Sequence, residues 1–405
     1  MNILLINHYA GSPEMGMEFR PYYFAKKWNE KGHNTVILAA DNSHIRRKNP
    51  GITGDFQEQI IDGVKYVWVK TPAYEGNGFK RLLNMFSFVR KLFFNAGKIV
   101  EKYKPDVVIA SSTYPLDNYV ARKIKRLSGA KYVYEVHDLW PLSPMELGGM
   151  SKHHPFILVM QAAENCAYKH CDAVVSMLPK TKDYIVSHGL SPEKWFYVPN
   201  GICLEEIKNT EPLPEHHKEI LNGLKRQGKT IVGYAGTLGL ANALHSFVEA
   251  AKKCKNEKLH FIITGVGPEK ENLKRLAGSS TNITFLDAVK KTQVQSLLSY
   301  HDILFISLKR NSLFRFGISP NKIFDYMYAA KPVIMAIEAG NNIVEEAGCG
   351  IAIEPENPQA IIDGLTRLLK LPEEELKKMG ENGRNFVLKN HTVEVLADKF
   401  LEIIK

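Results

Sequence analysis

Cysteine is scarce in this chain. Its 405 residues hold five, an odd number, and none stands in a CxxC pair. That excludes a disulfide framework and a zinc knuckle, and a reducing compartment is expected. Long apolar runs are missing too: no stretch reaches the roughly 18 apolar residues that a membrane-spanning helix needs. The opening Met1-Asn2-Ile3-Leu4-Leu5-Ile6-Asn7 lacks the basic start of a signal peptide and reads as a buried strand. Internal repeats and low-complexity tracts are absent. At 44% hydrophobic and 24% charged residues, the composition excludes a disordered chain and a multi-spanning membrane protein. Acidic residues are the minority charge, 43 against 53 Lys and Arg, for a net +10. The imbalance is 26 to 18 over residues 1–198 and only 27 to 25 beyond. The N-terminal half is therefore expected to face something anionic: nucleic acid, a membrane or a phosphorylated substrate.

What is present is alternation. Short β-branched runs are expected as strands at 2–7, 34–40, 64–70, 106–110, 131–136, 173–176 and 195–198. A second series is expected at 229–235, 259–264, 282–286, 302–306, 332–336 and 350–353. Amphipathic helical stretches lie between most of them. Solid runs such as Val107-Val108-Ile109 and Phe261-Ile262-Ile263 imply strands buried on both faces, hence parallel sheets covered by helices. Val64–Lys70 alternates and reads as an edge strand. The break falls at 199–228, where Pro199-Asn200-Gly201 makes a turn and Thr210–Pro214 a linker. The expected fold class is α/β, with two doubly wound domains, 1–198 and 199–386. Ligands of such sheets bind beyond the carboxyl ends of the strands.

Several loops at those ends carry chemistry. His8 to Gly16 joins the first strand to a helix, and its glycines let a backbone approach an anion. A GxGxxG fingerprint is missing there, which counts against a plain NAD enzyme. Glu135 to Pro141 places His137 after a strand as a general base or hydrogen-bond donor. Asp138 is there to fix its tautomer or bind a hydroxyl, and Trp140 to stack on a sugar. Gly236-Thr237-Leu238-Gly239 and Thr264-Gly265-Val266-Gly267-Pro268 are two glycine-rich strand–helix turns in one domain, which favours nucleotide binding. In Gly317 to Met327, Ser319 is the expected N-cap and Pro320 the first helical residue. Lys322 then sits where a cation opposes the helix dipole, which suggests a bound anion. Asp325 shares a face with Asn321 and Lys322 and is placed to hold ribose hydroxyls. Lys309, Arg310 and Arg315 precede this helix as candidates to neutralise a diphosphate.

In order and spacing, these motifs resemble glycosyltransferase family 4, retaining enzymes of the GT-B fold. The resemblance runs over nearly the whole chain: the N-terminal Gly-loop, Val198-Pro199-Asn200-Gly201-Ile202, Thr264–Pro268, and Ser319–Ile334. Val136–Pro141, Tyr234–Asn242 and Ser319–Lys322 are similar to a bacterial branch that includes N-acetyl-L-fucosamine transferases of O-antigen and capsule synthesis. Two features depart from the family. Its E-x7-E pair would fall at 317 and 325, here Gly317 and Asp325, and its Arg and Lys after the Gly236 turn are replaced by neutral residues.

The resemblance implies two Rossmann-like domains facing across a cleft, with the C-terminal helix 387–405 packing back on the first. The first domain would bind an acceptor. The second would bind a nucleotide-sugar, UDP-linked, through Gly236, Thr237, Gly265, Gly267, Lys309, Ser319, Asn321, Lys322 and Asp325, with Gly16 opposite. His137, Lys322 and Asp138 would serve catalysis. The reaction implied is hexosyl transfer with retention to a lipid-diphosphate or oligosaccharide acceptor, without cofactor or essential metal; no DxD motif occurs. A nucleotide-sugar epimerase or phosphorylase on the same fold, and a nucleotide- or nucleic-acid-binding module, are the alternatives. No nucleic-acid motif occurs, so no such partner is expected.

Residues 79–104 add a partner. Seven Lys and Arg (80, 81, 90, 91, 98, 102, 104) stand against Glu101. Leu82, Met85, Phe86, Val89, Leu92, Phe93, Ala96, Ile99 and Val100 form one helical face, and Phe88 and Phe94 fall off it. The expectation is peripheral attachment to an anionic membrane on its cytoplasmic side.

Overall fold

The computed structural model describes residues 1–76 and 78–405. The chain packs as two units, Met1–Asn200 with Val393–Lys405, and Gly201–Thr392. Each is a twice-covered sheet. In the first, the strands are β1 Asn2–Ile6, β2 Asn34–Ala40, β3 Gln57–Ile61, β4 Val64–Val69, β5 Val107–Ala110, β6 Lys131–Val136, β7 Ala173–Ser176 and β8 Trp195–Tyr197. Their order is β3-β4-β2-β1-β5-β6-β7-β8. Every pair is parallel except β3 with β4. The six-stranded sheet of the second unit runs β11-β10-β9-β12-β13-β14. Its members are β9 Thr230–Ala235, β10 Leu259–Thr264, β11 Ile283–Leu286, β12 Ile303–Ser307, β13 Val333–Ala336 and β14 Gly350–Ala352, all parallel.

The solid apolar runs explain the layers. Val107, Val108 and Ile109 are buried on both sides of the first sheet, as are Phe261, Ile262 and Ile263 in the second. In the second unit the rings of Phe247 and Phe305 stack at 4.4 Å beneath helix Leu244–Lys253. Strand order reverses at β1/β5 in one sheet and at β9/β12 in the other, and the loops leaving those strands are where such sheets open a crevice.

Three expectations need correction. Val64–Val69 is not an edge strand, because β3 pairs antiparallel outside it. Gln57, Glu58 and Gln59 give β3 no apolar face, so periodicity cannot reveal it. The return to the first unit starts at Val393 rather than 387. Val387 is buried with Met327 and Val344 in the second unit's core, on helix Glu373–Asn390. The last helix, Val393–Ile404, instead sets Phe400 against Phe24 and Trp28, and the Trp28 indole donates to the Ala397 carbonyl at 3.0 Å.

The third correction concerns helix Phe79–Tyr103. Met85, Leu92, Ala96 and Ile99 from the expected membrane face are buried core, and Phe88 joins them, its ring tilted against His8 at 4.7 Å. Phe86 is exposed instead. Arg81 donates to Tyr9 and Lys91 pairs with Asp55, so neither is available to a membrane. Among the described residues no helix is long and apolar enough to cross a bilayer.

Candidate functional site

A cavity of about 290 Å³ opens at the carboxyl edge of the second sheet. Its floor is Ala235–Thr237 after β9 and Thr264–Val266 after β10. One wall is Ala288, Val289 and Lys291 after β11; the other is Lys322, Asp325 and Tyr326 of helix Asn321–Tyr328. Tyr326 ties that helix to the strand end. Its hydroxyl accepts from the Ala235 amide at 2.7 Å and donates to the Ala235 carbonyl at 2.9 Å.

The two glycine turns are zipped together. The Gly236 amide donates to the Thr264 carbonyl at 3.0 Å and the Leu238 amide to the Val266 carbonyl at 2.8 Å. A Cβ on Gly265 would stand 1.9 Å from the Gly236 carbonyl oxygen, and one on Gly267 2.2 Å from that of Leu238. These glycines admit the neighbouring backbone. The amides that remain open are their neighbours': those of Thr237 and Val266 have no acceptor among the described residues, and both line the cavity. The hydroxyl of Thr264, on the same floor, is buried without a partner.

Lys322 faces this floor. Its Nζ donates to the Tyr234 phenol oxygen at 2.6 Å and the Asn242 amide oxygen at 2.9 Å, and lies 4.4 Å from the Tyr234 ring centre. Among the described residues no carboxylate pairs with it. Burial lowers the ammonium to about 8. A Cβ on Gly236 would sit 3.0 Å from Nζ, so glycine is what lets the cation lie against the turn. A desolvated cation with neutral partners, beside open amides, is a receptor for an anion. One turn on, Asp325 is nearly buried, and Lys291 donates to both its oxygens at 3.0 and 3.2 Å.

The cavity thus gathers Gly236, Thr237, Gly265, Lys322 and Asp325. Gly267, Lys309, Ser319 and Asn321 do not line it. Lys309 is exposed, and only its backbone approaches the turn, donating to the Ala241 carbonyl at 2.8 Å. Arg310 spends its guanidinium on Glu338 and Glu354, and Arg315 donates to the Ser312 carbonyl. Ser319 is not the N-cap: Pro320 is extended and takes that place, so the helix begins one residue later. Lys291 escaped the sequence reading, and Tyr234, Asn242 and Thr264 entered it only as members of their motifs, with no role of their own. Lys291 had a signal, since it follows a strand at its carboxyl edge.

In the first unit, Gly16 closes a turn. Its amide donates to the Ser12 carbonyl at 2.8 Å, and a Cβ there would press on the Arg47 amide nitrogen at 3.0 Å. Its N–H is therefore spent, and it is no phosphate donor. His137 is buried, with Nδ1 2.6 Å from Glu18 and Nε2 3.0 Å from Ser111 and 3.4 Å from Glu135. Burial alone would lower its pKa, but the carboxylates of Glu18 and Glu135 outweigh that and hold it up to about 10. A ring held protonated at neutral pH, with both nitrogens engaged by these neighbours, is set up as a hydrogen-bond donor and not as a general base. Asp138 is exposed, and Glu18, not Asp138, orients the ring. Trp140 packs edge-on to Phe156 at 6.1 Å, at the rim of an apolar cluster.

Residues 15–201 match the glycosyl transferase 4-like domain, and residues 217–386 match glycosyl transferases group 1. The chain is a glycosyltransferase. It is 22% identical to the probable glycosyltransferase WbjE of Pseudomonas aeruginosa over 100% of this chain and 97% of that one. It is 23% identical to WcaI of Escherichia coli K12, named for colanic acid biosynthesis, over 85% and 86%. Among solved structures, sucrose-phosphate synthase from Thermosynechococcus elongatus superposes with a TM-score of 0.70 at 14% identity, covering 100% of this chain and 98% of that one. HepE from Anabaena, in complex with UDP and glucose, gives 0.65 at 15%, covering 99% and 98%. The fold of this glycosyltransferase is therefore GT-B.

Proposed function

We propose that this glycosyltransferase moves a hexosyl group, retaining its anomeric configuration, from a UDP-sugar to a lipid-diphosphate-linked or oligosaccharide acceptor in cell-surface polysaccharide synthesis. An N-acetylamino-deoxyhexose is the sugar the motifs favour. The observation that carries the reading is the half-buried ammonium of Lys322, with neutral partners, beside the open Thr237 and Val266 amides. Such a cation gains most from an anion whose charge grows during reaction, as on the diphosphate leaving group. Asp325, oriented by Lys291, is placed one turn away to accept from ribose hydroxyls. WbjE and WcaI support the surface-polysaccharide role, and HepE supports UDP as the nucleotide. Asp325, the one carboxylate among the described residues lining the cavity, is paired with Lys291 and assigned to the ribose, so front-side displacement is the mechanism we favour. The diphosphate's charge is met by Lys322 and backbone amides in place of the family's missing Arg and Lys.

Calorimetric titration tests this. UDP should bind with uridine much weaker, and Lys322→Met should remove most of that difference. Equal affinity of UDP and uridine in the wild type would refute the reading. Product anomers, read by NMR with a UDP-hexose and a lipid-diphosphate acceptor, decide retention.

A further inference from the structure

Two helices of the first unit hold large apolar side chains in solvent. On Phe79–Tyr103 these are Phe79, Leu83, Phe86 and Phe94, between 43% and 73% exposed. They recur at helical spacing on the side away from Met85 and Phe88. On helix Pro155–His170, Leu158 and Val159 are 53% and 43% exposed in its first two turns. The helices share one core. Met85 and Met160 are buried in the same cluster, with Leu82, Val89 and Phe156 at its edge. Helix Asn118–Ser128 packs against both, so their exposed ends stand on either side of it.

The charges around these side chains are mostly positive, with Glu75 exposed just ahead of the longer helix and Glu101 near its end. Lys80, Arg90 and Lys98 are exposed and in no ion pair among the described residues, and Lys152 and His153 are exposed just ahead of the second helix. Glu101 is the only acid on the longer helix. Solitary exposed apolar residues are ordinary, whereas six on two helices that share a core mark an interaction surface. Protein–protein interface cores exclude lysine. Aromatic and aliphatic side chains interspersed with unpaired cations fit the headgroup layer of an anionic bilayer.

We propose that the surface formed by helices 79–103 and 155–170 seats this unit on an anionic membrane, through Phe79, Leu83, Phe86 and Leu158 with Lys80, Arg90 and Lys152. This deepens the reading of a lipid-linked acceptor, which gives the surface its purpose, but the geometry does not depend on the donor cavity. It also shifts the expected face around the helix: Met85, Leu92, Ala96 and Ile99 of that stripe are core, and Phe86 at its edge, with Phe79 and Leu83, is what is left to meet lipid.

The test is co-sedimentation of the full chain with vesicles of phosphatidylcholine alone or mixed with phosphatidylglycerol. Wild type should bind only the anionic vesicles and be released by high salt. Lys80→Glu with Arg90→Glu and Lys152→Glu should weaken binding by about 100-fold or more. Leu83→Ser with Phe86→Ser and Leu158→Ser should also weaken it, and the binding that remains, now purely electrostatic, should be more salt-sensitive. Both variants should melt as wild type does and bind UDP unchanged, so failure here is separable from failure of the donor reading. The proposal is overturned if wild type ignores anionic vesicles, or if both variants bind like wild type. It is equally overturned if wild type is a dimer that the serine variant makes monomeric, because a second copy would then cover the surface.

Discussion

The ammonium of Lys322 lies 2.6 Å from the phenol oxygen of Tyr234 and rests on that ring. Burial lowers it to about 8, so it is still largely protonated at neutral pH and loses its proton as pH rises. Donor kcat/KM, which reports the free enzyme, should be level below about 8 and fall tenfold per unit above. Lys322→Arg should move that limb upward if it retains turnover. Lys322→Ala should lose about 100- to 1,000-fold in kcat, as expected for one electrostatic donor to a transition state. An alkaline limb unchanged in Lys322→Arg would take the lysine out of the mechanism.

Lys322 also has a stability signature. A lysine whose pKa is lower folded than unfolded binds fewer protons in the native state, so it opposes folding below its ordinary 10.5 and opposes it less as pH rises through 8. Lys322→Met should therefore raise the melting temperature of the unliganded protein near neutral pH while removing activity. A lower melting temperature would show that its bonds to Tyr234 and Asn242 more than offset its desolvation.

Asp325 acts differently. With Lys291 on both oxygens, it stays fixed whether or not a donor is bound, so its contribution should be equal in ground and transition states. Asp325→Ala should raise donor KM by about 10- to 100-fold, the range for a hydrogen bond to a charged group, with little change in kcat. A fall in kcat at constant KM would assign Asp325 to the chemistry instead.

Gly265 was legible in the sequence, but its reason was not. The motif suggested a phosphate cradle; the structure gives 1.9 Å between a Cβ there and the Gly236 carbonyl oxygen. Gly265→Ala should cost about 1–3 kcal/mol or more through forced separation of the turns. Gly239→Ala meets nothing closer than 3.8 Å and should melt like wild type. Equal melting temperatures for the two variants would mean that the turns are not packed as described.

The same contrast runs through the whole reading. Thirteen of the strands were legible because buried parallel strands are written as solid apolar runs, as at Val107–Ile109. β3 was not, because Gln57-Glu58-Gln59 carries no pattern and the strand exists only through pairing with β4. The cavity's glycines, Lys322 and Asp325 were legible from motif and spacing. Tyr234 and Thr264 look like ordinary strand residues, and only the sheet register turns them toward Lys322 and the cavity floor. Helix 79–103 failed by rotation: its stripe was right as a stripe, yet which side meets the core depends on His8 against Phe88, a contact between distant segments.

Divalent metal should be dispensable. Among the described residues no three His, Cys, Asp or Glu side chains are grouped to hold an ion. Lys322 and the open amides supply positive charge where a diphosphate-bound Mg²⁺ otherwise would. EDTA should leave initial rates unchanged. Complete loss restored by Mg²⁺ or Mn²⁺ would require the diphosphate to be neutralised by the ion, with Lys322 secondary.

His137 and Glu135 give the last prediction, because their shifts have opposite signs. Arg20 donates to Glu135 at 2.8 Å, the Ser111 hydroxyl donates to it at 2.6 Å, and His137 bridges toward Glu18. Two cations and two carboxylates balance inside the first unit. His137 titrates at about 10 folded against 6.5 unfolded, so its stabilisation is complete below 6.5 and disappears as pH rises through 10. Burial opposes the Glu135 charge but Arg20 and His137 prevail, and it falls to about 2 from 4.5. Its stabilisation is therefore present above 4.5 and lost as pH falls through 2. His137→Ala leaves the buried Glu135 and the half-buried Glu18 with only Arg20 between them, which should cost about 3–5 kcal/mol at neutral pH. Denaturant unfolding at a series of pH values should show wild-type stability declining between 6.5 and 10, and His137→Gln should flatten that decline. Restoring part of the loss by adding Glu18→Gln to His137→Ala would show that the penalty is the stranded charge and not a cavity. If kcat instead shows an acid limb near 6.5 that vanishes in His137→Gln, the ring is neutral in the working enzyme and serves as a base after all.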